Sequence, residues 1–158
     1  MSTPKKLPDR YNPDSPSFKK EESPFYWLAK VHGRYSMAME KALKKIDMDI
    51  PRRRVLIILK DNGESSMSDI SMHAMAKLST ITKIVYRMKE EGLVETRPRP
   101  EDGRVTLVSV TEVGLSTLSR IHQVTSGIFA KGFRGLTDAQ IARLNDTLAK
   151  MFHNLPEE

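Results

Sequence analysis

STITKIVYRMKEEGLVETRPRPEDGRVTLVSVTEVG, residues 79–114, is the stretch whose reading decides the fold. Its apolar period changes half-way. Ile81, Ile84, Val85 and Met88 fall on one side of a helix, and Gly92 ends it. From there the residues turn β-branched or apolar: Leu93, Val94 and Thr96, then Val105 to Val110. Between them lies Arg97-Pro-Arg-Pro-Glu-Asp-Gly-Arg104, so the pattern predicts two strands joined by a turn. Thr111 then caps another helix.

Working outward toward the N-terminus, a short helix is expected from Ser68-Asp69, holding Ile70, Met72, Ala74 and Met75. Met67, Met72 and Met75 have core spacing and are read as core residues. Before them, Asp49-Ile50-Pro51 opens a helix that buries Val55, Leu56, Ile58 and Leu59 and stops at Asn62-Gly63. A long helix starts at Ser23-Pro24, with Leu28, Val31, Tyr35, Ala38, Ala42 and Ile46 on one face. Phe25, His32, Met39 and Leu43 widen that face, and such width calls for two packing surfaces, which hints at a dimer. Residues 1–22 carry Pro4, Pro8, Pro13 and Pro16 and little apolar bulk, so they are expected to form an extended or mobile arm.

Toward the C-terminus, the helix capped by Thr111 carries Leu115, Leu118, Ile121, Thr125 and Ile128, and Gly132 and Gly135 break it. Thr137 to Gln140 is a capping box opening a last helix. Ile141, Leu144, Leu148, Met151 and Leu155 form its seam. The expected fold is therefore mainly α with a small β-hairpin wing, a winged helix-turn-helix. Residues 49–111 would hold the helix-turn-helix and wing, in one continuous fold with the helices on either side.

In such a motif the second helix enters the DNA major groove, the first braces it, and the hairpin reaches toward the minor groove. Ser79, Thr80, Thr82, Lys83, Tyr86 and Arg87 lie off the apolar side of the second helix. Short hydroxyls at its start allow close approach of phosphates, and Lys83 and Arg87, a turn apart, can reach guanine edges or phosphates.

The 158 residues hold 26 Lys plus Arg and 20 Asp plus Glu, a net charge of +6, which favours polyanions without identifying one. The surplus is misplaced for a bulk DNA field: residues 1–60 carry +7 and residues 61–158 carry −1. A DNA site in the later part must act through a few placed side chains. With no cysteine there is no disulfide framework, thiolate metal site, cysteine nucleophile or cysteine redox sensor. The four histidines show no metal-ligand spacing, and no nucleotide-binding glycine motif or nucleophile elbow occurs. Neither an enzyme nor a cofactor is expected. Apolar runs are far shorter than the ~20 residues of a membrane span, and the N-terminus has no signal-like apolar region, so a cytoplasmic protein is expected.

The chain resembles the multiple antibiotic resistance regulator (MarR) family, whose wing carries Asp-x-Arg, a strand, then Leu-Thr-x-x-Gly. Here Asp102-Gly-Arg104 and Val110-Thr111-Glu-Val-Gly114 stand at those places, with Val for Leu. Residues 79–94 are similar to the family's recognition helix, and residues 135–144 to the start of its last dimerisation helix. The resemblance implies a homodimer, with residues 23–48 and 112–158 as its dimerisation helices and 49–111 as its DNA-binding part, that binds double-stranded DNA at a pseudo-palindromic operator, usually as a repressor. Arg104, steered by Asp102, would enter the minor groove, with Arg97 and Arg99 adding phosphate contacts. Gly103 replaces the more usual arginine at the tip, leaving one charge fewer there.

The resemblance also implies release of DNA by a small molecule, such as an organic acid, a phenol or an acyl-coenzyme A thioester. The effector cleft would lie between the first two helices, with Trp27, His32, Arg34 and Tyr35 on one and Arg53 on the other. An arginine fork can hold a carboxylate while aromatic rings cover an apolar body. Arg52, Arg53 and Arg54 also read as a solvated face or a phosphate contact. The competing expectation is a winged-helix module for protein–protein contact without specific DNA binding.

Overall fold

The computed structural model describes residues 6–157. Six helices surround a small three-stranded antiparallel sheet. Of the N-terminal arm, residues 1–5 lie outside the described residues, and residues 6–22 contain two single-turn 3-10 helices, Asp9–Tyr11 and Lys20–Glu22. Helix α1 spans Pro24–Lys44, α2 Ile50–Asn62, α3 Met67–Ala74, α4 Leu78–Glu90, α5 Glu112–Gly132 and α6 Asp138–Asn154.

Most helix boundaries follow from caps. The Asp49 carboxylate accepts the Arg52 amide at the start of α2 (2.9 Å), and Gly63, with φ of 75°, ends it. Thr111 accepts the Gly114 amide (3.0 Å), and Thr137 with Gln140 forms the capping box of α6. Two starts differ from expectation. Ser23 sits at the N-cap of α1 without a side-chain cap, so Pro24 alone marks that start. Helix α3 begins at Met67 because the reciprocal cap is Ser66 with Asp69, one residue earlier than read from Ser68.

Strands β2 (Val94–Arg99) and β3 (Asp102–Val110) form the hairpin. A third strand, β1 (Ser65–Ser66), pairs antiparallel with β3, giving the order β1-β3-β2. The wing is thereby tied at its root to the end of α2.

The core joins Leu43 of α1, Leu56 and Leu59 of α2, Ile70 of α3, Ile81, Val85 and Met88 of α4, Val108 of β3, and Leu118 and Ile121 of α5. Fully burying an aliphatic side chain of this size contributes about 1.5–3 kcal/mol. Gly114 is required by packing: a Cβ there would stand 2.3 Å from the Leu93 carbonyl oxygen. That close approach seats the first turn of α5 on the hairpin root, where Thr111 also donates to the Gly92 carbonyl (2.6 Å).

The methionine reading fails for two of three residues. Met67 packs against the core, but Met72 and Met75 are strongly exposed. Eight residues give α3 room for one inward face, which Ile70 and Ala74 occupy, and Met75 sits in the left-handed turn after it. The terminal helices are unfinished in one chain. Only Met39 and Leu43 of α1 are buried, and no residue of α6 is. Among the described residues, no helix is long and apolar enough to cross a membrane.

Candidate nucleic-acid interface

Helices α3 and α4 form the helix-turn-helix, joined at the turn by Met75 with φ of 50°. Ile81, Val85 and Met88 anchor α4, so Ser79, Thr80, Lys83, Tyr86 and Arg87 are exposed on its other side. No side chain caps the start of α4; the Thr80 amide bonds the Lys77 carbonyl (3.0 Å), and the amides of Leu78 and Ser79 are left for an anion. Thr82 is half-buried and its hydroxyl donates to the Leu78 carbonyl (2.8 Å). Arg87 is already engaged: its Nε donates to Glu91 (2.9 Å), and Asp49 lies 3.7 Å from its Nη1.

At the wing tip, Asp102 organises Arg104. Its Oδ1 accepts the Arg104 backbone amide (3.1 Å) and Nε (2.9 Å), while Oδ2 accepts Nη2 (3.0 Å). The side chain of Arg104 is nevertheless 91% exposed. Such a surface pair contributes little to stability, so its effect is to orient the guanidinium. Those hydrogen bonds from Arg104 hold the Asp102 carboxyl below the usual aspartate range.

Arg97 is placed differently from expectation. Its guanidinium forks onto Glu64 (2.9 and 2.5 Å), and Glu64 also accepts the Ser109 hydroxyl (2.9 Å). This cluster straps both hairpin strands to the loop after α2. Arg97 holds the Glu64 carboxyl below the glutamate range, with Ser109 adding to the effect. Arg99, half-buried, sits at the turn opposite Asp102.

The suggested effector residues divide. Leu28, Val31, His32, Arg34, Tyr35 and Ala38 of α1 face Ile128, Phe129, Gly132 and Phe133 of α5 across an apolar groove of about 550 Å³. Arg53 stands against two of these residues, donating to the Tyr35 hydroxyl (3.3 Å) with its guanidinium 5.9 Å from the Phe129 ring centre. Trp27 stands apart, its indole N–H donating to the Glu21 carbonyl (2.7 Å). The groove therefore runs between α1 and α5 rather than between the first two helices, and α2 reaches it only through the contacts of Arg53 with Tyr35 and Phe129.

Of the arginine run only Arg54 is a solvated side chain; Arg53 is half-buried and Arg52 is buried. Arg52 is 5% exposed, held by Asp49 (2.9 Å), Glu91 (2.7 Å) and the Asp47 carbonyl (2.7 Å). Burial opposes its charge, but Glu91 and Asp49 outweigh that and keep it firmly protonated.

A model of the MarR family matches residues 49–106, from the start of α2 into the hairpin. Over 145 residues the chain is 63% identical to the HTH-type transcriptional repressor IacR of Pseudomonas putida, covering 92% of this chain and 87% of that protein. The chain belongs to the MarR family. It is a MarR-type transcriptional repressor and not an enzyme. The fold agrees with solved MarR structures. A mutant MarR from E. coli complexed with operator DNA superposes with a TM-score of 0.71 at 22% identity, covering 82% of this chain and 91% of that one. CouR from Rhodococcus jostii RHA1, bound to p-coumaroyl-CoA, gives 0.77 at 22%, covering 89% and 99%.

Within this MarR fold, sequence reasoning missed Glu64, Asp49 and Glu91 as the carboxylates that occupy Arg97, Arg52 and Arg87. Asp49 was recognisable as a helix cap, and a cap three residues before an arginine is also within reach of its side chain. Glu64 and Arg97 lie 33 positions apart, and no local pattern joins them.

Proposed function

We propose that this repressor binds a pseudo-palindromic operator as a homodimer, with α4 of each copy in the major groove and each wing tip in the flanking minor groove. The observation that carries the reading is Arg104: a guanidinium oriented by two hydrogen bonds to Asp102, which also accepts the Arg104 backbone amide, while the side chain stays 91% exposed. An oriented, solvent-facing arginine suits a narrow, electronegative minor groove. Ser79, Thr80, Thr82 and Lys83 would meet the major groove and its phosphates, and Arg99 would add a contact near the tip. Arg97 acts first through Glu64 as a strap on the wing, and Arg87 reaches DNA only by leaving Glu91.

Residues 23–48 and 112–158 would form the dimerisation part around residues 49–111, with residues 1–22 as the arm. Support comes from Leu144 and Phe152 of α6 and from Leu155 just after it, all exposed in a single chain. A second copy supplies the missing cover, and two-fold symmetry then sets two recognition helices about one DNA turn apart. The α1–α5 groove would admit an organic acid, phenol or acyl thioester, with Arg53 as anion partner and Tyr35 and Phe129 as walls. CouR, a protein of the same fold, is bound to p-coumaroyl-CoA, which supports this reading. We place the protein in the cytoplasm.

The test is a fluorescence-anisotropy titration of the DNA upstream of its own gene at several salt concentrations. Affinity falling linearly on a log–log salt plot, with two protomers per site, supports the reading. Equal affinity for unrelated DNA overturns operator specificity and leaves a protein-contact module.

A further inference from the structure

The first turn of α2 carries three consecutive arginines, and the structure sends them to three places. Arg54 is exposed and reaches the Ala74 carbonyl (3.3 Å). Arg53 turns toward Tyr35 and Phe129, two residues of the α1–α5 groove, and its buried Nε has no hydrogen-bond partner among the described residues. Arg52 turns away from the groove toward the end of the recognition helix.

Arg52 uses its whole fork. Nε holds Asp49, the cap of α2; Nη2 holds the carbonyl of Asp47, the left-handed corner (φ 55°) between α1 and α2; and Nη1 holds Glu91, the residue that ends α4. The other oxygen of Glu91 accepts from Arg87 of α4. One buried guanidinium thus joins the end of α1, the start of α2 and the end of α4. Lysine could supply the charge but not three fixed directions.

Arg52 and Arg53 share one backbone segment, on adjacent positions about 100° apart around the helix. A displacement of one is a displacement of the other. We propose that Arg52 is a positioning residue that couples the α1–α5 groove to the recognition helix, with Arg53 as the groove-side end of the lever. What occupies or perturbs the groove moves the first turn of α2, and Arg52 carries that movement through Glu91 to the last turn of α4. The orphaned Nε makes the Arg53 end adjustable, while the satisfied fork makes the Arg52 end stiff. Buried ion networks are a weak source of stability against apolar replacements, so a geometric role is the better account of this one. The coupling rests on the reading of α4 as the DNA-contacting helix only for its consequence at the operator.

The test is a double-mutant cycle on the full chain, without ligand, read by hydrogen exchange of the amides in the last turn of α4. Arg53→Ala should speed exchange there by about fivefold or more, and Tyr35→Phe should act in the same direction, more weakly. In an Arg52→Met, Glu91→Gln background both increments should vanish. Arg52→Lys serves as a second background if that pair fails to fold. An Arg53→Ala protein with unchanged exchange in α4, or with the same increment in every background, overturns the coupling. The same cycle read as operator affinity separates the two readings. Coupled exchange without operator binding by the unmodified protein sustains the lever and sinks the DNA reading of α4.

Discussion

Residues 49–111 and the terminal helices place their apolar side chains in opposite ways. In the winged half, α2, α3, α4 and the hairpin bury Leu56, Leu59, Ile70, Ile81, Val85, Met88 and Val108 within one chain. Helix α6 has a comparable seam, yet none of its residues is buried. A helix with an apolar stripe and nothing against it is marginal in water. The contrast separates a module complete in itself from one whose stability depends on association.

The sharpest way to break that comparison is to charge the seam. Leu144→Asp with Leu155→Asp should leave the winged half folded while sedimentation reports monomers. Operator affinity should fall by about a hundredfold or more, because two linked half-site contacts become one. Unchanged dimerisation would remove α6 from the interface.

Gly114→Ala probes the seam between the halves. The added Cβ meets the Leu93 carbonyl oxygen at 2.3 Å and Val110 Cγ2 at 2.7 Å. Overpacking against backbone should cost about 3 kcal/mol in chemical denaturation. A loss below about 0.5 kcal/mol would show that α5 shifts freely on the hairpin.

Arg104→Ala separates recognition from stability inside the winged half. It should weaken operator binding by about 1–3 kcal/mol and leave the melting temperature unchanged, since the Asp102 pair is solvent-exposed. Equal loss on unrelated DNA would make Arg104 a general phosphate contact.

The smallest effect concerns acid. Arg97 and Ser109 depress the Glu64 carboxyl, so its folded-state pKa lies below its unfolded value. Its contribution is present above the unfolded value and is lost as pH falls through the folded one. Glu64→Gln should therefore flatten part of the acid limb of the stability curve below about pH 4, with little change at neutrality. An identical acid limb in the variant would deny the strap any role.

Legibility followed distance along the chain. The α4 helix, the hairpin and the caps at Asp49, Thr111 and Thr137 were readable because periodicity and capping are local. Asp102 with Arg104 was equally readable, two residues apart on a turn. The two-residue β1 was not, since Ser65-Ser66 has no strand pattern and exists only through its pairing with β3. Arg52 looked like one member of a charged run, and only the meeting of α2 with Glu91, 39 positions on, buries it. Met72 and Met75 misled for the converse reason: helical spacing shows which residues share a face, but α3 is too short to bury two.

The joint at Gly114 has a kinematic consequence. With Thr111 bonded to Gly92 and Leu93, and no room for even a methyl group between α5 and Leu93, the hairpin and the first turn of α5 form a joint without a hinge. A tilt of the wing must carry the root of α5 along as one rigid lever arm. At the other crossing, the left-handed corner at Asp47, the chain is held through a single carbonyl by Arg52, so a change in the angle between the halves has to pass through that guanidinium.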